Sequence, residues 1–132
     1  MYQTKQIYYK TIFKSQGESE TVEYKAVGVF HKEEKMHLYF DTKDGTIHII
    51  YDDNDVELKH GQSVLYFQYD KEVWNQYQIP YGELQLKTKL LLFEANEQRI
   101  KMKYELYDFQ GLISTVYMFV QMLPYKYFDS RE

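Results

Sequence analysis

The chain has 132 residues, no cysteine, and 20 acidic against 16 basic side chains, for a net charge of −4. That length suits one domain with its own core. The missing thiols exclude disulfides, thiolate metal sites and cysteine nucleophiles, and the acidic balance argues against nucleic acid as a partner. No apolar run reaches the length of a signal peptide or a membrane span, so the expected setting is the cytoplasm, away from the membrane. Aromatic residues make up 18% of the chain, and 15 of them are tyrosines. Tyrosine favours strands, and when buried its hydroxyl needs a hydrogen-bond partner.

In chain order, Ile7, Tyr9, Thr11 and Phe13 share one parity and predict a first strand over about residues 4 to 14. A polar turn, Ser15 to Glu20, leads to a second strand with Val22, Tyr24, Ala26, Gly28 and Phe30 on one face. Its Ala-x-Gly pair implies a bend or a close backbone approach, as a closing barrel requires. Met36, Leu38 and Phe40 form a third strand, and Lys43-Asp44-Gly45 is a hairpin signal. Ile47, Ile49 and Tyr51 form a fourth, and Val56 to Leu58 a fifth after the acidic turn Asp52 to Asp55. The sixth, Val64 to Tyr69, is apolar on both parities, and the seventh runs from Val73 to Ile79 around the only tryptophan, Trp74. Pro80 has no amide hydrogen for a ladder and must lie at an edge or a corner.

The clearest pattern in the chain follows at Tyr81 to Phe93. Leu84, Leu86, Thr88, Leu90 and Leu92 fall on one parity, and Glu83, Gln85, Lys87 and Lys89 fall on the other. Successive strand side chains point to opposite faces, so this is a long strand with one apolar and one wet face. After the polar turn Asn96 to Arg99 the alternation resumes in Ile100 to Leu106, and Gln110-Gly111 leads into a last strand, Leu112 to Leu123, apolar on both faces. The predicted architecture is all-β: an antiparallel up-and-down meander of about eight to ten strands, closed into a barrel because closure removes sheet edges. The domain spans residues 1–132, with 124–132 as a C-terminal tail and Asp129-Ser130-Arg131-Glu132 exposed.

The run Tyr81-Gly82-Glu83-Leu84-Gln85-Leu86-Lys87-Thr88 resembles the F-G-E-L-E-L-K-T signature of the bacterial YwiB-like proteins. Arg99 to Leu106 is similar to the strand that follows it there, and Tyr24 to Phe30 to an early strand of that family. The likeness spans roughly Val22 to Gln121. It implies a lipocalin-like, calycin-type β-barrel and no assigned activity, so no functional residue carries over. Tyr81 and Gln85 replace a phenylalanine and a glutamate of the signature.

Candidate chemistry is sparse. In the hairpin register that keeps Phe30 and Met36 on one face, His31 and His37 come together on the other, with His48 beside neither; a zinc site needs three or four ligands, so no metal is expected. Asp52 to Glu57 lacks the glycine and the twelfth-position carboxylate of a calcium loop and reads as an acidic turn. Glu83 and Glu105 occupy wet positions and suit cross-strand pairs with Lys87, Lys101 or Lys103 better than acid–base roles. No catalytic residue and no cofactor is indicated. An eight-stranded barrel interior is either filled by side chains or just wide enough for one small ligand. The sequence therefore suggests a small apolar or amphipathic ligand held by Tyr24, Phe30, Phe40, Tyr51, Leu84, Leu86, Met102 and Tyr104. The alternative is a plugged barrel that acts as an interaction or dimerisation module, homodimer included, through outward Tyr117, Phe119 and Ile113.

Overall fold

The computed structural model describes residues 2–125; the terminal Asp-Ser-Arg-Glu expected to be exposed lies outside them. It contains ten strands: β1 (Tyr2–Ser15), β2 (Glu18–Lys32), β3 (Met36–Thr42), β4 (Gly45–Tyr51), β5 (Asp55–His60), β6 (Ser63–Gln68), β7 (Glu72–Ile79), β8 (Gly82–Ala95), β9 (Arg99–Asp108) and β10 (Gly111–Pro124). All belong to one antiparallel sheet in the order β6-β5-β4-β3-β2-β1-β10-β9-β8-β7. The five long strands β8, β9, β10, β1 and β2 are therefore contiguous and form one side of the wall, and the short strands curl away on either flank. The turn after β1 is tighter than expected. It uses only Gln16 (φ 50°) and Gly17 (φ 82°), two positive values that match the right-handed twist of a hairpin.

The ends of the chain are zipped together by β1 and β10, from Lys5 opposite Pro124 to Lys14 opposite Thr115. The two sheet edges therefore fall between β6 and β7, which are consecutive in the chain. There the wall is nearly closed, and side chains close most of the gap. Asn75 of β7 accepts from the Tyr66 amide (2.8 Å) and returns a hydrogen bond from Nδ2 to the Tyr66 carbonyl (3.3 Å), as a strand neighbour would. Thr88 Oγ1 donates to the same carbonyl (2.7 Å), and Ser63 Oγ donates to the Gln78 carbonyl (2.6 Å). Beyond the turn, the Asp70 amide reaches the Leu90 carbonyl at 3.2 Å. Asn75 and Thr88 are buried because this polar work is done inside the wall.

The inward parity of every strand feeds one cluster, from Ile7, Leu38 and Ile49 through Phe67 and Leu90 to Ile100 and Met118. Alternation fails at two bulges, one between Leu90 and Leu92 and one between Leu112 and Ser114. An extra residue in one strand reverses the facing of all that follow. Leu92, expected inside, thus points outward and is 38% exposed, whereas Phe93 and Ala95 pack on the core. In β10 the bulge lets Ser114, Val116, Met118, Val120 and Met122 face in and leaves Ile113 exposed.

The close approach expected at Gly28 is present. A Cβ there would lie 2.5 Å from the Tyr39 carbonyl oxygen and 2.9 Å from Ile7 Cγ1. Gly28→Ala should destabilise the fold by about 1–3 kcal/mol through overpacking. Asn75→Ala should cost about 1–3 kcal/mol because it leaves the Tyr66 amide unpaired in the seam. Urea unfolding of both variants measures this; an unchanged midpoint for Asn75→Ala would mean the seam does not depend on the amide.

Candidate functional site

Six of the eight residues predicted to line the barrel do point into it and are buried: Phe30, Phe40, Tyr51, Leu86, Met102 and Tyr104. They meet one another and the rest of the core. The rings of Phe67 and Tyr104 are 4.6 Å apart, and those of Tyr9 and Phe40 are 5.6 Å apart. The Tyr51 hydroxyl donates to the Asn96 carbonyl at 2.7 Å and lies 3.8 Å from Met122 Sδ. Burial raises the phenols of Tyr51 and Tyr104 far above the usual tyrosine range, so both are neutral packing groups. Tyr24 is only half-buried at the rim, where its hydroxyl donates to Asp44 (2.8 Å). Leu84 departs from the expectation: it sits near the start of β8, where the wall rises past the core, and is 44% exposed. Inside the barrel, Thr11 Oγ1 is buried without a hydrogen-bond partner among the described residues. The nearby Tyr9 phenol is raised by burial.

The outside of the long-strand wall carries a groove of about 500 Å³. It is built from two cross-strand rows. Lys10, Phe119, Lys101 and Glu94 follow one another across β1, β10, β9 and β8, as do Ile12, Tyr117, Lys103 and Leu92. Arg99 completes a cationic line along β9. The floor is thus apolar and aromatic, and the lining holds four cations to the single carboxylate of Glu94. Lys14 Nζ and Lys103 Nζ stand 5.2 and 5.3 Å from the centre of the Tyr117 ring, a cation–π arrangement. Tyr117 and Phe119 face outward as their parity implied. The basic groove was not foreseen, because β1, which brings Lys10, and β10, which brings the aromatic floor, meet β9 with its Arg99, Lys101 and Lys103 only in the assembled sheet. Glu105, expected to pair with a lysine, accepts from the Tyr107 hydroxyl, and Lys87 pairs with Glu72 (3.2 Å).

A second outward cluster lies over the short strands. His31 and His37 stack at 4.5 Å, as their register required. His48 corrects the expectation that it stands beside neither: its Nε2 is 3.2 Å from His37 Nδ1, and its ring lies 3.8 Å from Tyr39. Diagonal neighbours across adjacent strands lie within reach of ring side chains, which parity alone does not reveal. The His37 and His48 ring centres are 5.5 Å apart for that 3.2 Å contact, so the rings meet at their nitrogen edges in a hydrogen bond. One ring nitrogen donates and the other must be unprotonated to accept. Among the described residues no group of three or more potential ligands is placed to hold a metal. The acidic segment forms a turn in which Asp52 Oδ1 accepts from the amides of Asn54 and Asp55.

Burial, then the Lys59 ammonium and His37, pull His48 down from 6.5 to about 4. Burial and the neighbouring His31 lower His37 as well. A base with a depressed folded value leaves the unfolded chain binding more protons between the two values. The stabilising contribution is therefore complete above about pH 6.5 and is lost as pH falls toward 4. Urea midpoints at pH 7, 5.5 and 4 should fall in that window for the native chain and fall less for His48→Gln; equal slopes would remove the imidazole pair as the cause.

The family whose sequence profile matches residues 7–119 is described as a domain of unknown function, DUF1934. Among solved structures, the chain is similar to the crystal structure of the ywiB protein from Bacillus subtilis, with 19% identity, a TM-score of 0.70 and 92% of each chain covered. At that identity the likeness speaks for the fold, and it agrees with the resemblance carried by Tyr81 to Thr88. Among curated proteins none matches the sequence. No helix among the described residues is long and apolar enough to cross a membrane. With its match covering most of the sequence, the chain belongs to the DUF1934 family of unknown function.

Proposed function

We propose that this protein is an interaction module whose working surface is the outer wall of β1, β8, β9 and β10, with the barrel serving as a rigid support. The observation that carries this reading is the charge segregation at the groove: Lys10, Arg99, Lys101 and Lys103 against Glu94, on a chain whose net charge is −4. Apolar and cationic side chains interleaved in one groove suit a recognition surface, in which burial supplies affinity and charge supplies orientation. The packed core supports the same reading, since Phe30, Tyr51 and Met102 are each 2% exposed or less and contact neighbouring core residues. The absence of cysteine suits the cytoplasm as its setting.

A small amphipathic ligand in the barrel is the second reading, and the unpartnered Thr11 hydroxyl favours it by offering a polar contact inside. The two separate on one experiment with 1-anilinonaphthalene-8-sulfonate, an anionic apolar dye. Under the outer-wall reading, Lys101→Glu with Lys103→Glu lowers dye affinity by about tenfold, the scale of one or two lost charge contacts. Dye affinity indifferent to those charges, together with co-purified mass in native mass spectrometry that organic extraction removes, would favour the barrel ligand instead.

A further inference from the structure

We infer that the occupant of the outer groove is an extended, acidic segment of a partner protein, with carboxylates at alternate positions facing the wall; this rests on the outer wall being the working surface. Arg99, Lys101 and Lys103 occupy successive outward positions of β9. Alternate strand residues are about 6.6–6.8 Å apart, and an extended partner repeats its own side chains at the same spacing. Acidic residues at i, i+2 and i+4 can therefore face the three cations in register. Lys10 stands across Phe119 from Lys101 and provides a fourth positive contact in the same row. The ion pairs among described residues fall at His31, Lys35, Lys59 and Lys87. None of the four groove cations pairs with a described carboxylate, and only Lys103 has another partner, the Tyr117 ring, so a partner's carboxylates meet cations without an ion pair among the described residues. Ile12, Leu92 and Phe119, on the neighbouring strands, supply apolar contact for the stems of the wall-facing acidic side chains.

The same details weigh against other anionic polymers. Single-stranded nucleic acid binds by stacking bases on free aromatic faces, but Tyr117 is overlaid by Lys14 and Lys103, and Phe119 is engaged with the ring of Tyr8 at 6.5 Å. An anionic bilayer calls for a protruding apolar edge with cations beside it. Here the cations alternate with apolar side chains along the rows of a recess and do not flank a protruding apolar edge.

The test is fluorescence anisotropy of the full chain with a labelled ten-residue peptide alternating glutamate with valine or phenylalanine. Its lysine-for-glutamate counterpart, a ten-residue oligothymidylate and phosphatidylglycerol vesicles serve as comparisons. The acidic peptide should bind and weaken several-fold on raising salt from about 0.05 to 0.3 M, as screened ion pairs do. Lys101→Glu with Lys103→Glu should weaken it by about tenfold or more, with an unchanged urea midpoint showing that the fold is retained. Equal binding of the lysine peptide, or tighter binding of the oligonucleotide or the vesicles, overturns the acidic-segment inference. Dye held at the groove with no peptide binding overturns the partner class and leaves the outer-wall reading standing. Loss of both removes that reading as well.

Discussion

Everything in this structure depends on how a ten-stranded sheet disposes of its two edges. Because β1 and β10 zip together along most of their length, the edges fall on β6 and β7. Unpaired strand edges invite association with other chains and leave amides without partners. Asn75 answers the second problem with a side-chain amide, which offers one donor and one acceptor in the geometry of a peptide group. Thr88 and Ser63 add hydroxyls on either side. At Asn75 and Thr88 the seam is polar yet buried, and that combination is tolerated only where each buried group finds a partner.

Closure has a consequence for function. Once the wall curls almost into a tube, the inward side chains of all the strands compete for one narrow space, and large residues such as Tyr51, Phe67 and Tyr104 occupy it. The side chains left open to solvent are then those on the outside. There the long strands lie side by side, and their outward residues form rows that cross four strands. The Lys10–Phe119–Lys101–Glu94 and Ile12–Tyr117–Lys103–Leu92 rows are the product. The Leu90/Leu92 bulge contributes directly, since it turns Leu92 out of the core and into this groove.

The opposite outer face differs in chemistry. His31, His37, Tyr39 and His48 form a cluster of rings, with Glu33, Glu57 and Lys59 as the charged groups that act on His37. Burial lowers the imidazoles of His37 and His48, so this face carries a response to acid. The barrel thus presents two unlike surfaces on one support. What distinguishes them is which strands lie side by side, a property of sheet order and not of any one strand's sequence.

Period-two alternation was legible residue by residue, and it determined the all-β class, the long β8–β9 hairpin, the inward positions of Phe30, Phe40, Leu86, Met102 and Tyr104, and the outward aromatics of β10. Gly28 was legible for the same local reason: a residue without a side chain inside a strand marks a close approach. The facing of Leu92, the exposure of Leu84, the meeting of His37 with His48 and the seam at Asn75 were decided only in three dimensions. A bulge inserts one residue without a distinctive composition, and cross-strand neighbours depend on register between segments far apart in the chain. Local sequence sets which face a side chain takes; only the assembled sheet sets which side chains share it.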